Sequence, residues 1–165
     1  ISGRVGFLPV PHLEVGASFM TAEIPGEEPP AGEATDGDFD LFGLDASYTR
    51  GPWTLRTEYL DSTLGEHQGA GAHGAEAATT IPETDWTAWY VQASRTFGKW
   101  EPVARIGEFE ADGNERWEED NQSYWSVGLN YNLAPSAIAK LAFTSADPDE
   151  GGDIETYTVQ FAYGF

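Results

Sequence analysis

The sequence predicts an all-β fold, an antiparallel up-and-down sheet of about nine strands that closes into a transmembrane β-barrel. Three observations lead to this prediction. Apolar and polar residues alternate with a period of two almost from end to end, which is typical of strands with two different faces. No apolar run approaches the roughly 18 residues of a membrane helix. Short and long connections follow one another in strict order along the chain.

The alternating segments predict the strands. Most have the length, about 9 to 11 residues, that crosses a bilayer core when a strand is tilted by about 45°. They cover residues 2–8, 13–21, 39–50, 53–61, 86–97, 100–109, 123–132, 137–145 and 155–165. We interpret residues 1–165 as a single β-barrel domain.

The connections indicate where the two ends of the strands lie. Tight turns are predicted at "LPVPH", "RGP", "FGK" and "LAPS", and long connections at residues 22–38, 62–85, 110–122 and 146–154. A soluble sandwich has no reason to keep this order, because both of its ends face the same solvent. Outer-membrane barrels keep it, since their periplasmic turns are short and their extracellular loops are long.

The charges follow the same division. The net charge is −20, and the long connections with their rims carry all but five of the 28 acidic residues. Those five are Glu14, Asp45, Glu58, Asp61 and Glu101. So acidic a chain repels phosphates, which argues against a nucleic-acid partner. The absence of cysteine excludes disulfides and thiolate metal sites within this sequence.

Two features favour an apolar face that points outward into lipid. Aromatic residues cluster near the segment ends, as the interfacial girdles of membrane barrels require. The polar face is mostly small and neutral, with a few isolated charges, unlike a solvated face rich in Lys and Glu. Its charged members are the candidate pore-lining residues: Arg4, Glu14, Asp45, Arg56, Glu58, Glu101, Arg105 and Lys140.

These charges admit two interpretations. Channels select ions by rings or ladders of charge, so the basic side chains could guide anions. Alternatively, Arg56 with Glu58 and Glu101 with Arg105 form cross-strand pairs that stiffen the wall. Because acids match the bases, we expect a weakly selective pore whose acidic mouth favours cations.

Other chemistry has little support. Glu66, His67 and His73 lie in one Gly- and Ala-rich connection, but their spacing matches no zinc pattern. "ADPDEGGD" at residues 146–153 resembles a calcium loop only in composition. We therefore expect no cofactor, with calcium bridging between the acidic loops as an alternative. No predicted strand contains a His, so we expect no enzyme.

The last strand carries a more specific signal. Tyr157, Val159, Phe161, Tyr163 and Phe165 form an aromatic and aliphatic row that ends on a Phe. This row resembles the C-terminal signal that the outer-membrane assembly machinery reads. Hairpins such as "GLDASYTRGPWTLRTEYL" and "WYVQASRTFGKWEPVARIGEFEADG" resemble those of the phosphate-selective porin O and P family, over roughly residues 40–165. The resemblance implies a trimeric, channel-forming barrel of about sixteen strands.

An odd count of nine strands bears on completeness, because single-chain barrels normally have an even number. We expect the C-terminal part of a larger porin barrel; the alternative is a miscounted, small eight-stranded barrel filled by side chains.

The predicted function is a porin in the outer membrane of a Gram-negative-type bacterium, with passive diffusion of small hydrophilic solutes or ions. The expected partners are outer-membrane lipid, the assembly machinery and two further copies in a homotrimer. The alternatives are a small closed barrel that acts as an anchor or adhesin through its acidic loops, and a soluble β-sandwich binding module.

Overall fold

The computed structural model describes residues 1–26, 35–69, 79–113, 121–149 and 151–164 of the chain. Within these ranges the regular structure consists of β-strands. They are β1 (Ser2–Val10), β2 (Leu13–Ile24), β3 (Gly37–Arg50), β4 (Trp53–Leu64), β5 (His67–Gly69), β6 (Thr79–Ile81), β7 (Thr84–Arg95), β8 (Trp100–Asp112), β9 (Gln122–Ala134), β10 (Ala137–Pro148) and β11 (Ile154–Tyr163). The described residues contain no helix long and apolar enough to span a membrane.

Nine of these strands form one antiparallel sheet. Their order is β1-β2-β3-β4-β7-β8-β9-β10-β11, so each long strand pairs with its neighbours in the sequence. The two short strands, β5 and β6, pair only with each other, within the connection from β4 to β7. The predicted all-β, antiparallel, up-and-down arrangement of nine strands is therefore confirmed.

Long and short connections leave opposite ends of the sheet. We call these the loop end, where β2 joins β3, β4 joins β7, β8 joins β9 and β10 joins β11, and the turn end. At the turn end, His12 with φ of 75°, Gly51 with 59° and Gly98 with 62° adopt left-handed backbone conformations. Glycine tolerates this conformation without a steric penalty, which explains the tight reversals at two of these turns.

Most strands extend further towards the loop end than the alternation of apolar residues predicts. Strand β4 continues to Leu64 rather than ending near residue 61, and β8 continues to Asp112 rather than residue 109. The ladder between β7 and β8 remains in register out to the pair of Asp85 and Asp112. Most long strands thus have 12 to 14 residues.

The sheet curves so that its two faces differ in shape. One cavity of about 550 Å³ is lined by side chains from six strands, from Thr54 on β4 to Gln160 on β11. A single space can touch so many neighbouring strands only on the inside of a curved sheet. The face that carries Thr54 and Gln160 is therefore the concave face, and the opposite face is convex.

The described residues form almost no apolar core. Among the described residues, Ala111 and Ala146 are the only buried hydrophobic residues. The large apolar side chains lie instead on the convex face and are exposed, as Leu129 at 38% and Phe161 at 65% illustrate. Others on this face are Val5, Phe19, Phe42, Leu44, Leu55, Tyr59, Trp89, Ile106, Trp125, Val127 and Leu141. The stability of this sheet therefore needs an apolar environment on its convex side.

The two outermost strands are open edges. No hydrogen-bonded ladder among the described residues joins β1 to β11. The convex-face residues Val5 and Val159 on these strands are 70% and 82% exposed. Direct closure of a small barrel through these two strands is thus not observed in the described part of the chain.

Candidate functional site

All eight predicted pore-lining residues lie on the concave face. The registers connect them from strand to strand: Asp45 is opposite Glu58, and Arg56 is opposite Gln92. Gln92 is in turn opposite Arg105. Arg4 on β1, Glu14 on β2, Glu101 on β8 and Lys140 on β10 have the same parity and so share this face. These side chains therefore share one face of the sheet, and their role in lining a pore stays a prediction.

The concave cavity brings the basic residues of β4, β8 and β10 to one surface. Arg56, Arg105 and Lys140 line it together with Glu101 and hydroxyl and amide side chains. Three basic groups with one acid give this part of the concave face a local positive balance, in a chain of net charge −20. An anion near the concave face would meet these groups after passing the acidic connections.

A second charged cluster lies on the first three strands. The guanidinium of Arg4 donates two hydrogen bonds to Asp45, from Nε at 3.1 Å and from Nη2 at 2.7 Å. Nη2 also donates to Glu14 at 3.4 Å. Planar guanidinium groups match carboxylates in this two-pronged manner, which fixes their orientation. The cluster holds one cation between two anions and so leaves a net negative charge here.

The pairing of Arg4 with Asp45 spans strand β2, because the two residues are on β1 and β3. It is possible because Gly16, which lies between them, has no side chain. A Cβ at Gly16 would be 2.6 Å from Arg4 Nη2 and 2.5 Å from Asp45 Oδ1. The sequence alternation placed Gly16 on the polar face but gave no signal that this position must remain empty.

Arg105 of β8 is held by uncharged side chains of β7. Arg105 donates to Gln92 Oε1 from Nε at 3.0 Å and from Nη2 at 2.6 Å. Its guanidinium carbon also lies 4.3 Å from the ring centre of Tyr90, a cation–π contact. Amide and aromatic partners keep the positive charge of Arg105, whereas a carboxylate would neutralise it.

Glu101 is held in a similar way. It accepts hydrogen bonds from Ser94 Oγ at 2.7 Å and from Asn130 Nδ2 at 3.1 Å. The cross-strand pairing of Glu101 with Arg105 is therefore wrong, since both lie on β8 and bond to other strands. The pairing of Arg56 with Glu58 is wrong for the same reason, because both lie on β4. A cross-strand pair needs one residue on each of two neighbouring strands, and here both members of each pair lie on one strand.

The other candidate residues lie apart from this face. Tyr157, Val159, Phe161 and Tyr163 are exposed on the convex face of β11, and Phe165 lies outside the described residues. His67 is buried near Gly37, with Nδ1 3.1 Å from the carbonyl oxygen of Gly65, while His73 lies outside the described residues. No group of three or more His, Asp or Glu in the described ranges is arranged to hold a metal ion.

Comparison with solved structures finds chains of similar fold. No family model and no curated protein matches the chain. The fold is similar to the β-domain of the Bordetella autotransporter BrkA, with a TM-score of 0.47 and 12% sequence identity. The match covers 93% of this chain and 65% of that domain, so the chain spans less than two thirds of its length. The resemblance to the phosphate-selective porin family stays a prediction.

Proposed function

We propose that this chain is part of the wall of an outer-membrane β-barrel that acts as a porin for small hydrophilic solutes or ions. The observation that carries the proposal is the difference between the two faces of one sheet. The convex face is apolar and exposed, and the concave face holds polar and charged side chains around an open cavity.

The convex face supports a location in lipid. A soluble protein rarely exposes an apolar surface of more than a few hundred Å². Here apolar side chains are exposed on all nine long strands, while the described residues bury two alanines. Hydrocarbon tails could cover this surface without leaving backbone N–H and C=O groups unsatisfied, because each strand between the two edges pairs on both sides.

Arg95 gives a second reason. It is the basic residue on the convex face of β7, close to the turn end. Its guanidinium carbon lies 4.9 Å from the ring centre of Trp53 and 4.3 Å from that of Phe97. Aromatic rings and a long cationic side chain are the usual combination where a barrel leaves the hydrocarbon and meets the headgroups. The turn end would then face the periplasm.

The concave face supports a water-filled lumen. Arg4, Glu101 and Arg105 are held by cross-strand hydrogen bonds rather than by burial, and the side chains of the Arg4 cluster remain exposed to water. Diffusion through such a lumen needs no moving part. With the positive region around Arg105 and the negative cluster around Arg4, we expect weak ion selectivity, modified by the acidic connections at the mouth.

The open edges support a larger barrel. Nine antiparallel strands in a row leave β1 and β11 running in the same direction. A membrane barrel must close, and closure with antiparallel pairs alone therefore requires an odd number of additional strands. About sixteen strands in total, as the porin resemblance implies, would meet this condition. We include in the proposal a homotrimer and recognition of the terminal row by the assembly machinery.

A second function is favoured by the distribution of acids. All four long connections leave one end of the sheet, and most of the 28 acidic residues lie in them or at their rims. Such an end could bind cationic partners outside the cell, with the barrel as an anchor. An anchor needs no open lumen, which separates it from a porin.

Conductance across a planar bilayer distinguishes a porin from an anchor. A porin gives discrete, ohmic current steps after insertion of the purified protein, whereas an anchor with a filled lumen gives none. The membrane location is tested first, by asking whether the folded protein needs detergent to stay in solution. If the folded protein stays monodisperse in buffer without detergent, the membrane location is wrong and a soluble binding module takes its place.

A further inference from the structure

The polarity of the two faces reverses near the loop end of the strands. On the convex face Tyr59 and Trp89 are opposite each other and are the last large apolar side chains of β4 and β7, as Phe42 is on β3. Beyond them, the same face of β3 carries Asp40 and the same face of β4 carries Asp61. These positions are acidic although their strands remain fully paired, so the sheet continues past the apolar band.

Strand β8 shows where the change occurs. Ile106 is exposed on the convex face, and Glu108, the next residue on that face, is acidic. Glu108 Oε2 accepts a hydrogen bond of 2.9 Å from Nε1 of Trp89 on β7. An indole that places its ring over the apolar band and its N–H towards a carboxylate is typical of a membrane–water boundary. With the proposed membrane location, the section beyond this boundary would lie in water.

The concave face changes in the opposite sense over the same section. Its charged residues end at the level of Glu58 and Arg105, and apolar side chains take their place. We call them the inner collar: Leu41, Leu60, Trp86, Ala88, Phe109 and Ala111.

The registers make the inner collar continuous. Leu60 is opposite Ala88, and Ala88 is opposite Phe109. One level further out, Trp86 is opposite Ala111. The two hydrophobic residues that are buried in the described chain, Ala111 and Ala146, both lie at this end of the concave face. The collar therefore forms a contiguous apolar surface across β4, β7 and β8, and Leu41 of β3 lies beside it, opposite Ser62.

An apolar section in a water-filled path opposes ions more than neutral solutes. An ion gives up favourable hydration beside a surface that offers no polar partner, and hydrophobic constrictions reduce conduction by this means. We propose that the inner collar is the section of the pore that limits ion flow between the acidic mouth and the charged concave face. This inference rests on the proposed porin function.

Substitution of one collar residue tests the inference. Leu60→Asn and Phe109→Asn place an amide in the collar, and we expect each to raise the single-channel conductance about twofold or more, as hydration of the section improves. Val103→Asn is the matched control. Val103 also lies on the concave face of β8, but between Glu101 and Arg105, where polar groups already surround it. We expect its conductance to remain near that of the wild type.

A second measurement covers the case in which these variants do not fold. The chain contains no cysteine, so Leu60→Cys provides a single thiol with nearly conserved volume. Reaction of this thiol with an ethylammonium methanethiosulfonate should raise the conductance, whereas the neutral methyl reagent should leave it low. The same two reagents on Val103→Cys should differ much less.

The outcomes separate the inference from the proposed function. A wild-type protein that never conducts overturns the porin and, with it, the role of the collar. A conducting wild type whose collar variants and charged adducts leave the conductance unchanged overturns the collar alone. Equal effects at Leu60 and Val103 also overturn it, since they would indicate a general response of the wall.

Discussion

Arg4 and Asp45 form a hydrogen-bonded ion pair although strand β2 lies between their own strands. The contact runs over Gly16 of β2 and joins the first and third strands of the sheet on the concave face. Ladder hydrogen bonds connect only neighbouring strands, whereas this side-chain pair connects strands that are not neighbours. It therefore restrains the curvature of the sheet next to its open edge at β1.

A side chain at Gly16 should disturb this contact, because its Cβ would meet the end groups of Arg4 and Asp45. We expect Gly16→Ala to displace the guanidinium and to lower the free energy of unfolding by about 1 kcal/mol or more. Gly6, opposite Gly16 on β1, is the control, since a Cβ there would lie an ordinary 3.4 Å from Arg4 Nη1. Gly6→Ala should be neutral or stabilising by about 0.5–1 kcal/mol. Urea unfolding in vesicles measures both, and equal effects would contradict the role of the bridge.

Tyr124 of β9 packs over Gly107, the residue opposite it on β8. A Cβ at Gly107 would lie 2.6 Å from the Tyr124 hydroxyl and 2.5 Å from the carbonyl oxygen of Trp89. Because the second contact is with backbone, Gly107→Ala should destabilise the sheet by about 1–3 kcal/mol. Gly128→Ala, where the nearest atom would be 3.2 Å away, should cost less. Thermal unfolding followed by heat-dependent migration on gels would show the difference, and identical midpoints would refute it.

A charge on the convex face should be most costly at the middle of the apolar band. Leu44 and Asp40 share this face of β3, about 13 Å apart along the strand. Leu44→Arg should cost about 2–4 kcal/mol in a bilayer, but Asp40→Arg only about 0–1 kcal/mol, because the penalty decreases towards the interface. Refolding into lipid vesicles at increasing urea provides the comparison. If both variants lose equal stability, Leu44 does not face hydrocarbon.

The open edges can be tested with pairs of cysteines. Val5 and Ala17 are directly opposite on β1 and β2, so Val5→Cys with Ala17→Cys should form a disulfide on mild oxidation. Val5→Cys with Val159→Cys should not do so within one chain, because β1 and β11 do not pair. Non-reducing electrophoresis of the folded protein distinguishes the two. Efficient intramolecular bonding of the second pair would show that nine strands close on themselves.

Lys140 should influence which ions pass. It lines the concave cavity together with Arg56 and Arg105, so Lys140→Gln removes one positive charge from that region. The reversal potential in a salt gradient should shift towards cation preference. Lys99→Gln removes the same charge at the turn end, where Lys99 Nζ lies 6.0 Å from the Tyr131 ring centre, and should shift it less. A larger shift for Lys99→Gln would place the selective region elsewhere.

Much of this arrangement could be predicted from the sequence. Period-two alternation fixed the face of Arg4, Asp45 and Arg105, because a strand offers only two directions to its side chains. Punctuation by Gly and Pro located the four tight turns. The long hairpins follow from these two signals without further information.

The ends of the strands and the hydrogen-bond partners of the charged side chains could not be predicted from alternation and turn residues. After Tyr59 the apolar and polar residues exchange faces, because Leu60 is apolar and Asp61 is acidic. From the sequence alone, this exchange indicates the end of a strand. Backbone pairing with β3 and β7 keeps β4 extended through this change. The partners of Glu101 and Arg105 depend on register between strands, which a single sequence does not specify.

The placement of every long connection at one end has a consequence for how the protein reaches its position. That end carries most of the carboxylates and, in the proposed outer-membrane location, would have to traverse the hydrocarbon during insertion, while the compact reversals at the other end would not. Spontaneous entry should therefore be slow into vesicles of anionic lipid and faster into zwitterionic ones, since a chain of net charge −20 is repelled by a negative surface. In that location, the architecture would favour assisted insertion over spontaneous insertion.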